Sequence, residues 1–191
     1  GGYNHLGNIE IESVEREEVT NTAEQMFKQH IVNMKETWQD NTLPQDIKEI
    51  LSALSVSVVG LFSTLNYEQE MTVRKILTDF FEDKKQQILK NKATEDPEAD
   101  YLKEFKYTIT ISSEVGRLGL LERENACILN SALRPYAMKT VNSFKLAFKE
   151  IGFTGNIFFT QNDGTIEKSQ FIAHYPVLTF AAGMVNSVRG A

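Results

Sequence analysis

The sequence predicts an α/β fold in which helices flank a mixed or mostly parallel sheet. Two segments indicate strands, the β-branched run "LSVSVVGLF" at 54–62 and the alternating "KYTITISSEV" at 106–115. A third observation is that segments with helical periodicity separate the predicted strands. Because parallel strands need a crossover connection of a dozen or more residues, usually a helix, this order of segments indicates βαβ units.

Residues 1–53 are predicted to form a helical region within the same lobe as the rest of the chain. Apolar residues recur three and four positions apart between about 17 and 40, which is typical of an amphipathic helix. Pro44 suits the first turn of a short second helix that ends near residue 53. Residues 54–191 then form the α/β core, with an acidic insertion at 91–100.

The first strand leads into a helix that reaches the high eighties. Asn66 together with Gln69 is predicted to cap the start of this helix, because side-chain oxygens satisfy the free N–H groups of a first turn. Glu68 and Glu70 are predicted to lie on the solvated face of the same helix. The second strand follows the acidic insertion and ends in polar residues.

The second half of the chain continues this alternation. Residues from about 121 to 151 are predicted to form one very long helix, or two helices broken near Pro135, which lacks an N–H for the helical ladder. Gly152 ends this region. The remaining predicted segments are a third strand at 156–160, a turn at 161–165, a short helical segment at 168–176, a fourth strand at 177–180 and a closing glycine loop that opens into a helix.

The composition excludes several classes of protein. The net charge is −6, and the lysines and arginines are scattered, so nucleic acid is not an expected partner. No apolar run approaches the roughly 20 residues of a membrane span, so no membrane partner is expected. Cys127 is the only cysteine, which suits a reducing compartment. We therefore expect a cytoplasmic protein.

The two polar loops of the C-terminal part form a candidate nucleotide site. In open α/β sheets, ligands bind beyond the carboxyl ends of the strands. The turn at 161–165 has the chemistry of an ordinary turn, but it and the glycine loop are predicted to face each other across a nucleotide cleft. The candidate cofactor-binding residues are Asn162, Asp163, Gly164 and Thr165 in the turn and Gly183, Ser187 and Gly190 in the loop.

Three residues of the central part are candidates for catalysis: Glu114, Arg123 and Asn130. Glu114 could act as a general base only if it is partly desolvated. Arg123 either clamps an anion through its paired guanidinium donors or forms a structural ion pair with Glu114 or Glu122. The sequence contains no Ser-His-Asp set, Walker loop or zinc-ligand spacing, and the residues that would hold a metal are unknown.

Five sequence motifs occur in the same order as in a known enzyme family. They are "LFSTLNYEQE", "ISSEV", "ERENACILNSALRP", "FFTQNDGT" and "YPVLTFAAGMVNSVRGA". Through them, residues 54–191 resemble the hydantoinase/oxoprolinase family of ATP-dependent cyclic amide hydrolases, to which the acetone carboxylase subunits are related. In the resemblance, "NDGT" and "AAGMVNS" are similar to elements near the nucleotide phosphates, and Arg123 with Asn130 is similar to the helix start near the active cleft.

The resemblance implies a ribonuclease H-like fold, related to the actin, sugar-kinase and heat-shock ATPases, with two lobes around a nucleotide. It implies ATP and Mg as cofactors of the intact parent enzyme and a cyclic amide of the hydantoin or 5-oxoproline type as substrate. Phosphorylation of the amide oxygen would make the adjacent carbon electrophilic and so prepare it for hydrolysis.

The family's first phosphate loop, Asp-Gly-Gly-Thr, does not occur in this sequence. The resemblance therefore implies an internal fragment, inactive by itself and without bound cofactor. Its partners would be the rest of the parent chain or a second subunit, and its exposed lobe interface implies self-association. Met184 and Val185 are bulkier than the family's residues, which keeps open a non-catalytic nucleotide-sensing or subunit-interaction module on the same fold.

Overall fold

The computed structural model describes residues 14–61, 63–90, 97–117 and 119–190. The chain is a mixed α/β protein, as predicted. Residues 91–96 of the predicted acidic insertion lie outside the described part of the chain. The elements in chain order are α1 (Arg16–Gln39), α2 (Gln45–Leu51), β1 (Ala53–Val58), α3 (Glu68–Lys90), a 3₁₀ helix (Pro97–Glu104), β2 (Lys106–Ile111), α4 (Ser112–Val115), α5 (Leu120–Glu150), β3 (Phe158–Thr160), β4 (Ile166–Lys168), α6 (Ser169–His174), a second 3₁₀ helix (Pro176–Thr179) and α7 (Ala182–Gly190).

β1, α3 and β2 form one βαβ unit, as the order of the segments predicts. The two strands are parallel over six residue pairs, from Ala53 opposite Lys106 to Val58 opposite Ile111. Asn66 caps the start of α3, because its Oδ1 accepts a hydrogen bond from the Glu68 N–H at 2.9 Å. Because β1 and β2 are parallel, their carboxyl ends lie at the same edge of this sheet.

The β1–β2 sheet has one apolar and one polar face, because successive side chains of a strand point to opposite sides. Leu54, Val56 and Ile109 lie on the apolar face, which packs against α1 and α3. Serines and threonines occupy the alternate positions and face α5, where Ser57 Oγ donates to Ser131 Oγ at 2.8 Å. The buried core on the apolar side also includes Ala23, Met34, Leu77, Phe81 and Phe105.

A single helix of 31 residues, α5, covers the polar face and continues through Pro135. Of the two arrangements that the sequence leaves open, the unbroken helix is the observed one. The proline removes one hydrogen bond from the helical ladder, but the helix is anchored to the sheet on its N-terminal side. Gly152 follows the helix with a φ of +77°, a conformation that glycine adopts at little cost.

Of the two predicted C-terminal strands, one is absent and the other is present as β3 but lies in a different sheet. Residues 177–180 do not form a fourth strand, because Pro176–Thr179 is a 3₁₀ helix in which Thr179 Oγ1 donates to the Pro176 carbonyl at 2.8 Å. A short apolar run does not distinguish strand from helix, and proline has no N–H for a strand ladder. The strand predicted at 156–160 is also not part of the parallel sheet, because β3 pairs with β4 in a separate antiparallel hairpin.

The closing segment is a helix where the sequence predicts a glycine loop. The nine residues of α7 include Gly183, Ser187 and Gly190, and none of the nine is buried. Ala181 precedes the helix with a φ of +60°, so the chain turns there rather than at a glycine. Glycine inside a helix costs only about 1 kcal/mol relative to alanine, so glycines do not exclude a helix.

Candidate functional site

The carboxyl ends of β1 and β2 meet around the carboxylate of Glu70, which is 1% exposed. Its Oε1 accepts hydrogen bonds from the Gly60 N–H at 2.7 Å and from the Ser112 hydroxyl at 2.5 Å. Its Oε2 accepts from the Ser113 N–H at 3.0 Å. Glu70 thus connects the loop after β1 to the start of α4 after β2.

The prediction that Glu70 lies on a solvated face is wrong. Burial by itself raises the pKa of the Glu70 carboxyl, but hydrogen bonds from Ser112, Gly60, Ser113 and Ser63 together lower it below its usual value. The carboxylate therefore remains ionised inside the protein.

A signal for this burial was present in the sequence. Glu70, Val73, Leu77 and Phe81 are spaced three and four positions apart and share one face of α3. Leu77 and Phe81 on this face belong to the core. A carboxylate that continues an apolar stripe is a candidate for a buried, hydrogen-bonded group.

Arg123 lies against the same strand ends and is only 2% exposed. Its Nη2 donates to the Gly60 carbonyl at 2.7 Å, and its Nε is buried without a hydrogen-bond partner. Among the described residues it forms no salt bridge with Glu114 or Glu122, the two partners considered from the sequence. The closely packed Gly116 leaves no room for a side chain, because an added Cβ would lie 2.7 Å from Arg123 Cγ. In this conformation Arg123 fixes the backbone near Gly60.

Glu114 forms a salt bridge with Arg74, with 2.6 Å between Oε1 and Nη1. Both side chains are partly buried, at 28% and 29% exposure. Glu114 also contacts Tyr175, and the pKa of the Tyr175 hydroxyl is raised first by burial and then by this carboxylate. The carboxylate of Glu114 is thus paired with a cation, which does not favour a role as general base.

Asn130 joins the sheet to the C-terminal segment and is fully buried. Its Nδ2 donates to Thr110 Oγ1 at 3.2 Å and to the His174 carbonyl at 3.0 Å, and its Oδ1 accepts from the Val177 N–H at 3.2 Å. Three of its four hydrogen-bonding positions are used within the protein. The arrangement supports a positioning role for this side chain.

Several polar groups of the turn at 161–165 are hydrogen-bonded to other groups of the same turn. The N–H of Gln161 donates to the Thr165 carbonyl at 2.7 Å, and that of Gly164 donates to the Gln161 carbonyl at 3.0 Å. Asp163 Oδ1 accepts from both the N–H and the hydroxyl of Thr165, which lowers the pKa of the Asp163 carboxyl. Asp163 is exposed, so its second carboxylate oxygen remains open to solvent.

The structure brings this turn next to α7, but the turn belongs to the separate β3–β4 hairpin and α7 follows a 3₁₀ helix, so the predicted arrangement at the strand ends of one sheet is wrong. Arg189 Nη1 donates to the Gly164 carbonyl. Gly164 has a φ of +83°, and a Cβ at this position would lie 2.5 Å from Arg189 Nε. The cofactor-binding candidates Gly183 and Gly190 are exposed with open space beside them, and Ser187 Oγ donates back to the Gly183 carbonyl at 3.0 Å.

The second 3₁₀ helix connects the two groups of predicted site residues. Its Val177 N–H bonds to Asn130, and its Leu178 carbonyl accepts from the Asn162 N–H at 2.7 Å. An apolar hollow of about 350 Å³ lies beside this helix, against α5. It is lined by residues that include Leu133, Val141, Ile172, Pro176, Phe180 and Ala181. The predicted site residues therefore form two groups joined by main-chain contacts.

Within the described part of the chain, His, Cys, Asp and Glu side chains do not gather in groups of three that could hold a metal ion. Cys127 is buried, and burial is the main reason that its thiol pKa is raised to about 11. None of the described helices combines the length and apolar character needed to cross a membrane. Comparison of the chain with protein-family models, with curated proteins and with solved structures gives no match.

Proposed function

We propose that this chain is a part of an ATP-dependent hydrolase of cyclic amides and contributes one side of its nucleotide and substrate cleft. The sequence support is the order of the five motifs shared with the hydantoinase/oxoprolinase family. One structural observation supports the nucleotide part of the proposal: the turn at 161–165 and α7, which the resemblance assigns to the phosphates, are in direct contact through Gly164 and Arg189.

The finer fold is part of the same proposal. The βαβ unit and the helices on both faces of its sheet are compatible with a portion of a ribonuclease H-like lobe of the actin and sugar-kinase type. In this arrangement the intact enzyme would supply the remaining strands and the first phosphate loop.

In the described conformation, the turn at 161–165 and Arg189 of α7 do not offer the contacts that a nucleoside triphosphate needs. The N–H groups of Gln161, Asn162 and Gly164 donate within the protein, and Arg189 covers the Gly164 carbonyl. A phosphate needs free N–H donors, so Arg189 and the turn must rearrange before they can hold one. The residues that could then contact ATP-Mg are Asp163, whose carboxylate is exposed, and Arg189.

The same observation favours a second candidate function. This function is a non-catalytic nucleotide-sensing or subunit-interaction module on the same fold, and persistence of the contact between Arg189 and Gly164 in the complete protein would favour the subunit-interaction role. Only the first function includes turnover of a substrate, and both are compatible with the same assembly of the complete protein. Measurements of ATP-Mg binding and of ATP hydrolysis therefore separate them.

The test uses the complete protein that contains these 191 residues. Calorimetric titration with ATP-Mg is expected to show binding, and hydantoin or 5-oxoproline is expected to stimulate ATP hydrolysis. Asp163→Asn is expected to lower kcat at least tenfold, because the exposed carboxylate near the phosphates is lost. Asp83→Asn, which changes an exposed carboxylate on α3, is the matched control and should leave kcat unchanged.

Each result has a distinct meaning. Absence of ATP-Mg binding would contradict the hydrolase and a nucleotide-sensing module, and would leave only a subunit-interaction module. Binding without turnover on either cyclic amide would support the non-catalytic module. Equal effects of Asp163→Asn and Asp83→Asn on kcat would show that the turn at 161–165 is not part of the active site.

A further inference from the structure

A groove runs along the outer edge of β2. Among the described residues, β2 pairs with β1 on one side, and no described strand lies on its other side. The groove has a volume of about 790 Å³, its floor is Lys106–Ile109 of β2, and its walls are α3 and α5. A sheet edge presents a row of unpaired N–H and C=O groups, which is a template for another extended chain.

The main chain of β2 shows which groups point into this groove. The Ile109 carbonyl accepts a hydrogen bond from Arg134 Nη1 at 2.7 Å, and Arg134 is one of the α5 residues that line the groove. Because main-chain N–H and C=O groups alternate in direction along a strand, those of Tyr107 point to the same side as those of Ile109. Arg134 Nε is buried without a hydrogen-bond partner. The groove therefore combines a strand edge with the cationic side chain of Arg134.

The α3 wall of the groove is polar, whereas the α5 wall combines Arg134 and Lys139 with the apolar Pro135, Met138 and Leu146. α3 contributes the stripe Arg74, Thr78, Glu82 and Lys85, which are three or four positions apart. A strand from a hydrophobic core would bury its side chains against these polar groups at a cost of several kcal/mol. The α3 wall thus fits an extended segment with polar side chains on that face better than a wholly apolar segment.

The charges in the groove favour an acidic segment as its ligand. Its lining contains five basic and two acidic residues in a protein of net charge −6. Three of the basic residues form salt bridges: Arg74 with Glu114, Lys106 with Glu104 and Lys139 with Glu49. The other two, Lys85 on α3 and Arg134 on α5, form no salt bridge with a described carboxylate, and they lie on opposite walls.

We propose that this groove binds an extended acidic segment of another protein, which adds as a third strand to the outer edge of β2. Main-chain hydrogen bonds to β2 supply affinity, and carboxylates on the two faces of the added strand pair with Lys85 and Arg134. Six residues of β2 at about 3.3 Å each span roughly 20 Å, so the segment contacts the protein over about six residues. The proposal does not depend on the proposed function, because none of the turn or α7 residues lines this groove.

The test is fluorescence polarisation of a labelled octapeptide with the repeat Val-Val-Glu-Glu, which places glutamates on both faces of an extended strand, titrated with the 191-residue protein. The peptide is expected to bind, and the same peptide with lysine in place of glutamate is not. N-methylation of one set of alternate amides should abolish binding, whereas N-methylation of the other set should leave it unchanged, because only one side of an added strand faces β2.

The protein variant for this test is Lys85→Glu, which is expected to weaken peptide binding at least tenfold. Lys75→Glu is the matched control, since Lys75 is exposed on the same helix and does not line the groove, and its effect should be less than twofold. Circular dichroism establishes that both variants are folded. Binding of both peptides, or equal loss in the two variants, would overturn the proposal.

Two further results would also overturn it. Competition by free glutamate or inorganic phosphate at the peptide's own concentration would show a site for small anions. A concentration-dependent dimer in sedimentation velocity that Lys85→Glu dissociates would show that the edge is occupied by a second copy.

Discussion

Glu70 carries a negative charge inside the protein because the donors around it all point at its carboxylate. Two N–H groups and the Ser112 hydroxyl come from the loop after β1 and from α4, which are 10 to 43 positions away in the chain. Hydrogen bonds to a charged group are about twice as strong as neutral ones. A buried charge is also costly to leave unpaired, so this residue holds the two strand ends in a fixed relation.

Glu70→Gln is expected to lower the free energy of unfolding by about 2–3 kcal/mol, because the new amide N–H₂ is a donor that faces other donors. Urea unfolding followed by circular dichroism measures this change. Glu68→Gln is the matched control, since Glu68 is exposed in the same helical turn, and its effect should stay within about 0.5 kcal/mol. Similar losses in the two variants would show that the donors around Glu70 do not stabilise the fold.

At the scale of elements, α7 differs from the other long helices because none of its residues is buried. Met184 and Val188 are 72% and 79% exposed, so hydrophobic packing within the described chain contributes little to holding this helix. The contact between Arg189 and the Gly164 carbonyl is therefore a main attachment of α7 to the rest of the protein. A helix held in this way opens locally without unfolding the core.

Arg189→Ala is expected to increase the hydrogen exchange of α7 amides about tenfold, because a charge-assisted hydrogen bond is lost. The global free energy of unfolding should change by less than about 0.5 kcal/mol. Ser187→Ala is the control on the same helix, because the Ser187 hydroxyl bonds only within α7. Unchanged exchange in Arg189→Ala would mean that other contacts hold the helix.

At the scale of the whole molecule, two titratable groups lie where elements meet, and both make the fold sensitive to acid. His30 on α1 contacts the Ser52 carbonyl, with 3.1 Å between Nε2 and O, at the junction of α2 and β1. Burial lowers the pKa of His30 below its usual 6.5. Glu70 joins the opposite ends of the strands, and its pKa also lies below the usual 4.5. For both groups, the folded state binds a proton less readily than the unfolded chain does.

The Tm is therefore expected to be highest above pH 6.5 and to fall in two stages as the pH decreases. His30 is responsible for the loss that begins below about pH 6.5, and Glu70 for the loss below about pH 4.5. Thermal unfolding at pH 8, 5.5 and 4 measures both stages. His30→Gln should reduce the difference in Tm between pH 8 and pH 5.5 only, and an unchanged difference would contradict the role of His30.

The sequence by itself determined the elements whose signal is local. The three- and four-residue spacing of apolar side chains predicted α1, α3 and α5, and the alternation at 106–111 predicted β2 and its βαβ connection. These patterns are readable because a helix or strand must bury one face whatever it packs against. The proximity of the 161–165 turn and α7 was predicted from a premise that is wrong, because neither segment follows a strand of the β1–β2 sheet.

Only the tertiary structure decided the features that depend on contacts between distant segments. The apolar stripe of α3 marks Glu70 as a candidate for burial, but its donors Gly60, Ser112 and Ser113 come together only in the folded chain. In the same way, Asn130 is hydrogen-bonded to Thr110, His174 and Val177. The 3₁₀ helix at Pro176–Thr179 and the unpaired outer edge of β2 could not be predicted from the sequence for the same reason. A local pattern determines which face of a helix or strand is apolar. The packing of the whole chain determines which donors, acceptors and strands contact that element.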